Sequence, residues 1–416
     1  MAKQSTVPAA SSAPNYLMPF IIVTALFGIF GFLTNLNSNL APKLEDIFNL
    51  NHMWSNFVTT SWFLAYLVFS VPSGKLIEKI GYKRTMVTSL FIMVVGALLF
   101  IPAALMVSFP VFLTASFVLA TGVCVLQVSA NPYVSILGPE SSAPARLTLA
   151  QAFNSLGSGL APLVVGYYIL TDNTVTDPKA IAHTVMGPYI AIAAALFVLG
   201  FAVMFMHLPA VTRSESFRPG DEGAPTPGRS IWSYKHTVLS MVGIFFYVGV
   251  EIALAANAIK FFKTQGIDSK DTAALLASFY MFAIMIGRFA GTVAMKKIRA
   301  NRLLAGLGFF GVALMLLAMS STGTVAVWSL ILCGLANSIM YPTIFALGIA
   351  ELGPLTSEGS GVITIGNVGG AVIPPLFGLI ADHMGIQHAF VLVIICYVFV
   401  AYYGLSGYKP SRAKAA

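Results

Sequence analysis

From Thr85 to Asn131, and again from Leu303 to Ala350, the chain runs without one charged residue. A helix of about 20 apolar residues crosses the ~30 Å hydrocarbon core of a bilayer, and in lipid the backbone must satisfy its own hydrogen bonds. Each run is therefore long enough for two crossings. Composition agrees: 57% of the 416 residues are hydrophobic and 9% are charged, where a soluble domain carries roughly 25% charged residues. These charges are too few to keep so large a surface in water. The expected fold class is an all-α membrane protein, held in a lipid bilayer.

Twelve transmembrane helices are expected, beginning near Leu17, Asn56, Arg84, Phe109, Leu147, Met186, His236, Thr272, Arg302, Thr324, Ser357 and Gln387. With both termini cytoplasmic, Lys75, Lys79, Lys83, Arg84, Arg146, Lys235, Lys296, Lys297, Arg299 and Arg302 fall on the inner side. Lys43, Lys179, Lys260, Lys263 and Lys270 fall on the outer side, and Arg288 alone lies within a span. That asymmetry is the positive-inside rule. The net charge of +8 is thus a signal of orientation, and no nucleic-acid partner is expected. A multi-pass protein of the cell (inner) membrane follows. The first apolar run is too long for a signal-peptide core and has no clear small-residue cleavage site after it, so it is read as the first span. Cys124, Cys333 and Cys396 sit in separate apolar stretches, as buried thiols do, so no disulfide or metal site is expected. No G-x-x-x-x-G-K-S/T loop is present, which argues against ATP-driven pumping. No cofactor is expected.

The stretch from Pro209 to Lys235 is rich in Pro, Gly, Ser and charge and reads as a flexible linker. It divides the chain into a polar tail (1–16), a six-helix bundle (17–208), the linker (209–235), a second six-helix bundle (236–407) and a short tail (408–416). Matching loops repeat this duplication. Gly74-Lys-Leu-Ile-Glu78-Lys-Ile-Gly81-Tyr-Lys83-Arg84 follows the second span, and Gly291-Thr-Val-Ala-Met-Lys296-Lys297-Ile-Arg299 follows the eighth. The first has the spacing Gly-x-Leu-x-acid-base-x-Gly-x-base-base and resembles the loop signature of major facilitators. Two six-helix bundles around a central cavity are the architecture of alternating-access carriers. A conformational clasp is expected there, with Gly74 and Gly81 as part of its signature: Glu78 and the Lys83/Arg84 pair would bridge neighbouring helices in one state and release them in the other. A charge pair of this kind biases such an equilibrium by about 1 kcal/mol.

A longer resemblance follows. Ala130-Asn131-Pro132-Tyr133-Val-Ser-Ile-Leu-Gly138-Pro139-Glu140-Ser141-Ser142, continued by Arg146-Leu-Thr-Leu-Ala-Gln151-Ala-Phe-Asn154-Ser155, is similar to the fucose/glucose/galactose-type sugar symporters of the major facilitator superfamily. So are Tyr247-Val-Gly-Val-Glu251, Ile286-Gly287-Arg288-Phe289, Tyr341-Pro342-Thr343-Ile344-Phe345 and the run from Gly359 to Asp382. The resemblance implies the major facilitator fold, a sugar substrate and coupling to a proton or a sodium ion. In one respect the chain departs from it. The fucose symporters carry acids at the positions matching Ser38 and Gln127, both neutral here, so that proton site does not transfer.

A sugar presents several hydroxyls, each a donor and an acceptor, and its carrier needs amides and hydroxyls converging near mid-membrane. The chain offers Asn35, Ser38 and Asn39 in the first span, Gln127 and Asn131 one turn apart in the fourth, and Gln151, Asn154 and Ser155 in the fifth. The second half adds Asn257, Asn337, Tyr341, Thr364 and Asn367. Of these, Asn35, Ser38, Gln127, Asn131, Gln151, Asn154, Asn337, Tyr341 and Asn367 are the candidate substrate-binding residues. Any single amide serves equally well as a bond between helices. Glu251 is the acid set deepest, about 20 Å into the seventh span, where a charge is costly and functional. It is the candidate for cation coupling. A direct pair with Arg288 looks strained, because helix counting separates the two by about 9 Å in depth. Proton symport, sodium symport and uniport remain open, with a monomer expected, and so does a drug or metabolite exporter of the same fold. An enzyme is not expected, since no nucleophile–base pair or metal cluster is evident.

Overall fold

The computed structural model describes residues 16–47, 52–168, 178–206, 208–209 and 230–410, with side chains described except those of 36–59, 162–185 and 270. The expected linker (209–235) and both tails fall largely outside these residues. Thirteen α-helices are described: α1 (Leu17–Ile47), α2 (His52–Leu105), α3 (Phe109–Ile136), α4 (Ala143–Tyr168), α5 (Pro178–Phe205), α6 (Lys235–Thr264), α7 (Lys270–Ala294), α8 (Ala300–Ser320), α9 (Thr324–Asn337), α10 (Met340–Gly348), α11 (Thr356–Thr364), α12 (Gly369–Met384) and α13 (Ile386–Tyr402).

They make twelve passes. α2 turns back at Gly81, whose φ of 81° and ψ of 165° lie in a region open to glycine alone, so α2 crosses twice. α9 and α10 together form one pass, Thr324–Gly348, and α11 and α12 form another, Gly353–Met384. The outer surface carries the large apolar side chains of a lipid-facing wall, such as Val198, Phe205, Leu275, Met281 and Phe309, all more than half or nearly half exposed. In water such a surface would aggregate; in a bilayer it is solvated. Lys75, Lys79, Lys83, Lys296, Lys297 and Arg299 sit in two connections on one side of the molecule, which we term the basic face.

Within each half, packing depends on backbones that nearly touch. A Cβ placed on Gly157 of α4 would stand 1.9 Å from the Gly28 carbonyl oxygen of α1, and one on Gly369 would stand 1.8 Å from the Phe245 carbonyl oxygen of α6. Helices in lipid gain no hydrophobic advantage from association, so close van der Waals contact between small residues takes its place. The two positions are equivalents: first pass against fifth, seventh against eleventh.

The halves, α1–α5 and α6–α13, meet through α4 with α7 and α10, and through α2 and α3 with α11. The joints begin at the basic face. There the Glu351 N–H donates to Glu140 Oε1 at 2.9 Å, and a Cβ on Gly74 would lie 2.7 Å from the Ser357 carbonyl oxygen. Deeper, Ser360 Oγ donates to the Val128 carbonyl at 2.7 Å, and Gly361 backs onto the Ser70 carbonyl. Midway across, the Phe63 ring fills the space beside Gly370. The molecule is closed at its basic face.

If backbone approach holds each half, crowding it must cost stability. Gly157→Ala is expected to lower the melting temperature of the detergent-purified protein, by an amount equivalent to about 1–3 kcal/mol for an overpacked site. Gly306→Ala, where an added Cβ meets nothing within 4 Å, is expected to leave it unchanged or raise it.

Candidate functional site

Two prolines shape the centre of the molecule. A proline inside a helix has no N–H, so the carbonyl four residues earlier loses its partner. Pro132 of α3 releases the Val128 carbonyl, which takes the hydroxyl of Ser360 from the other half. Pro342 of α10 releases the Ser338 carbonyl, at the break between α9 and α10, and Arg288 Nε donates to it at 3.2 Å. Neither role is visible in a reading of these prolines as kinks alone. The signal that finds them is the carbonyl at i−4.

Around these breaks, amides from both halves converge on one hydroxyl. Asn131 Nδ2 donates to Tyr341 Oη at 3.4 Å, Tyr341 Oη donates to Gln127 Oε1 at 3.5 Å, and Gln151 Nε2 donates to Asn131 Oδ1 at 3.4 Å. The Asn367 side chain faces the Tyr341 hydroxyl, and its Nδ2 donates to the Thr364 carbonyl at 2.8 Å. The Tyr341 ring lies 6.1 Å from that of Tyr247. Contacts of 3.4–3.5 Å are at the long limit of hydrogen bonding, so these amides are gathered without being fully engaged. They are also partly accessible: Gln127 and Gln151 are half-buried, while Asn131 is closed over.

Beside this group stands an ion pair. Arg288 Nη2 lies 3.9 Å from Glu251 Oε1. The expectation that depth would keep the two apart is therefore corrected. Side chains on a helix lean toward its N-terminus. α6 starts at the basic face and α7 at the opposite one, so Glu251 leans down, Arg288 leans up, and the gap in Cα depth closes. The guanidinium does more than balance the acid. Its Nη1 donates to the Gln151 carbonyl at 3.0 Å and to the Ser155 hydroxyl, both on α4 of the other half. The Tyr247 hydroxyl faces Glu251 and is buried with no hydrogen-bond partner among the described residues.

Of the expected binding residues, Gln127, Asn131, Gln151, Tyr341 and Asn367 come together. Two others are placed elsewhere. Asn337 is fully buried within the second half, where its Nδ2 donates to Tyr280 Oη at 2.7 Å and its Oδ1 accepts from Tyr397 Oη at 2.8 Å. One donor and one acceptor of its amide join three helices, apart from the five gathered residues. Asn154 Nδ2 donates to the Phe27 carbonyl of α1 at 3.1 Å, so it ties α4 to α1. Asn35 is half-buried on α1, and Ser38 lies outside the described side chains. Asn257 Nδ2 donates to the Ala253 carbonyl of its own helix.

The expected clasp residues Gly74, Glu78, Gly81, Lys83 and Arg84 lie at the basic face. Glu78 is exposed, and the groups that face it are Glu358 of the other half and Lys75. Among the described residues it makes no ion pair with Lys83 or Arg84. Gly81 supplies the turn between two passes, which holds Lys83 and Arg84 at the start of the next one. Gly74 supplies close approach to Ser357. The acid that does bridge the halves is Glu140, through the Glu351 N–H. It sits in a loop braced by Arg146, whose Nη2 donates to the Ser135 carbonyl at 2.6 Å and whose Nη1 donates to the Pro139 carbonyl at 2.9 Å. A cation there satisfies the loose carbonyls at the C-terminus of α3.

Comparison with known proteins follows this geometry. Residues 21–367 match the model of the Major Facilitator Superfamily. The chain is 41% identical over 403 residues to a glucose/galactose transporter of Brucella abortus, covering 96% of each. It is 31% identical over 412 residues to the L-fucose-proton symporter of Escherichia coli, covering 94% of this chain and 93% of that one. Among solved structures, a crystal structure of the superfamily transporter FucP in the outward conformation superposes with a TM-score of 0.86 at 28% identity, covering 96% of this chain and all of that one. A proton:xylose symporter shares the fold, with a TM-score of 0.74 at 15% identity.

The two kinds of amide should separate on mutation. Asn337→Ala strands the buried hydroxyls of Tyr280 and Tyr397 and is expected to cost about 1–3 kcal/mol, read as a lower melting temperature. Gln127→Ala, at a half-buried position with a long contact, is expected to cost less than about 1 kcal/mol.

Proposed function

The chain belongs to the Major Facilitator Superfamily, and from that premise we propose that it is a secondary carrier that imports a hexose or related monosaccharide by alternating access, in symport with a proton. The observation that carries this reading is the cluster of amides from both halves around the Tyr341 hydroxyl: Asn131 and Gln127 bond it, Gln151 bonds Asn131, and Asn367 faces it. Each amide offers a donor and an acceptor. Their mutual contacts are long, so a sugar hydroxyl that replaces one loses little and gains a well-placed partner. Tyr341 and Tyr247 add aromatic faces for the apolar side of the ring. The names of the relatives, a glucose/galactose transporter and an L-fucose-proton symporter, support the same substrate class.

Glu251 is the coupling residue in this reading. It is the acid beside the amide group, it is partly accessible, and it has a cation at 3.9 Å that makes its charged form tolerable. Loading and release of a proton there change the charge of the site by one. Sodium in place of the proton, or a purely structural role for the pair, are the readings the test below separates. We place the basic face in the cytoplasm, on the distribution of Lys and Arg, with both termini on that side of an inner membrane and with the two bundles at 17–208 and 236–407. Closed at that face, the structure is then the outward-facing state, as in the matching FucP structure. A monomer suffices, since both halves of the site come from one chain.

In proteoliposomes, Glu251→Gln is expected to keep sugar counterflow within about threefold of the parent while uphill accumulation falls to a ratio of about one. Accumulation that persists under a proton gradient removes Glu251 from coupling, and dependence on a sodium gradient changes the ion. Gln151→Ala is expected to weaken sugar binding about tenfold, the loss of one good hydrogen bond. Calorimetry with a panel of hexoses checks this, and unchanged affinity moves the sugar site elsewhere.

A further inference from the structure

The turn at Gly81 ends the second pass, and the last turns of helix before it present two faces. Ser70, Gly74 and Glu78, one turn apart, look into the seam between the halves. Gly361 backs onto the Ser70 carbonyl, a Cβ on Gly74 would lie 2.7 Å from the Ser357 carbonyl oxygen, and Glu78 faces Glu358. One step round the helix, Val71, Pro72, Lys75, Leu76 and Lys79 line an open groove of about 300 Å³. The same side continues into the membrane as Leu64, Leu67 and Val68, all close to half exposed. It forms an apolar track that ends at two cations. Lys75 and Lys79 are both exposed and, one turn apart, stand about 6 Å from each other. Lys75 is near enough to Glu78 to act on its charge, but among the described residues neither lysine makes an ion pair.

Lysines at the end of a spanning helix satisfy the positive-inside rule wherever they stand, and the second half shows what that rule alone yields. Gly291 matches Gly74, which puts Thr292 in the place of Lys75 and Lys296 in the place of Lys79. The Thr292 hydroxyl returns to the Arg288 carbonyl of its own helix, and Lys296 and Lys297 follow after α7 has ended at Ala294. In the first half the cations are set back into the helix, with Lys75 six residues, about 9 Å, before Gly81. Side chains lean toward the N-terminus of their helix, which for this pass is the bilayer interior. Both stems therefore lie along the groove, with their ammonium groups at the edge of the hydrocarbon. We propose that this groove binds one anionic phospholipid, its phosphate on Lys75 and Lys79 and an acyl chain along Leu76, Pro72, Val68 and Leu64. Each ammonium offers three donors to the phosphate oxygens, and the apolar wall holds a chain that a soluble phosphate lacks. Such a site does not depend on what the carrier moves.

Native mass spectrometry of the full chain in detergent reads the occupancy. The parent is expected to hold one phosphatidylglycerol about tenfold more tightly than it holds zwitterionic phosphatidylethanolamine. Lys75→Gln with Lys79→Gln is expected to erase that preference. Lys296→Gln with Lys297→Gln removes the same charge from the same face, at exposed positions of the other half, and is expected to stay within about twofold of the parent. An equal loss in both double variants shows diffuse attraction and overturns the site, as does a parent without the preference. Glycerol 3-phosphate carries the phosphate without the chains and is expected to displace the lipid only at about a hundredfold excess or more. Displacement at parity leaves an anion site with no acyl track and overturns the lipid. Dimers register in the same spectra: a dimer lost from Lys75→Gln with Lys79→Gln, with lipid binding unaltered, gives the face to a second copy and overturns the assignment.

Discussion

Inside hydrocarbon there is no water to accept a spare hydrogen bond, and most features of this molecule answer that constraint. It explains why the passes are helical, since a helix satisfies its own backbone. It also explains where the exceptions fall. Pro132 and Pro342 each release one carbonyl in the middle of a pass, and both carbonyls are taken up: one by Ser360 from the opposite half, the other by Arg288. A defect in a helix thus becomes a fixed acceptor at a chosen depth. Arg288 is the largest polar group at this level, and every neighbour it has is one the fold places there.

The two halves apply one plan with different results. Leu137-Gly138-Pro139 and Leu352-Gly353-Pro354 close equivalent passes, and Asn131-Pro132 corresponds to Tyr341-Pro342. Asn154 and Asn367 likewise occupy nearly matching places, three residues before Gly157 and two before Gly369. Their side chains have parted company. Asn154 donates to the Phe27 carbonyl and binds α1 to α4, whereas Asn367 donates to the Thr364 carbonyl of its own pass and faces the Tyr341 hydroxyl. Equivalence by sequence position therefore gives the depth of a polar side chain and not its direction.

This is also where sequence reasoning stops. Helix number and fold class were legible because they depend on apolar length and charge placement, which are properties of segments. The five amides and hydroxyls that do converge were legible as residue types at a common depth. Asn337, with the same credentials, lies one helix further out among Tyr280 and Tyr397, because a few tens of degrees of helix rotation decide between a cavity and a seam. The Glu251–Arg288 contact was misjudged for a related reason. Counting residues along an axis measures Cα height, and the opposite lean of side chains on antiparallel helices was left out of it. At Glu78 the neighbour from the other half is Glu358, a juxtaposition that spacing within one loop does not reveal.

The charge arithmetic of the centre bears on how a neutral substrate can be moved by a gradient. Gln127, Asn131, Gln151, Tyr341 and Asn367 carry no net charge, and the Glu251–Arg288 pair sums to zero with the acid ionised. Binding a sugar leaves that sum unaltered, so the substrate alone feels nothing of the membrane potential. On the proposed coupling, a proton on Glu251 leaves Arg288 uncompensated and the centre carries one positive charge. Moving a unit charge across the membrane potential is worth about 2.3 kcal/mol per 100 mV. The loaded carrier is then drawn toward a negative interior, while the unloaded one returns without opposing the field. An arginine fixed beside the acid, rather than an isolated acid, makes this so: alone, Glu251 would be neutral when loaded and negative when empty, and the potential would act on the return step instead.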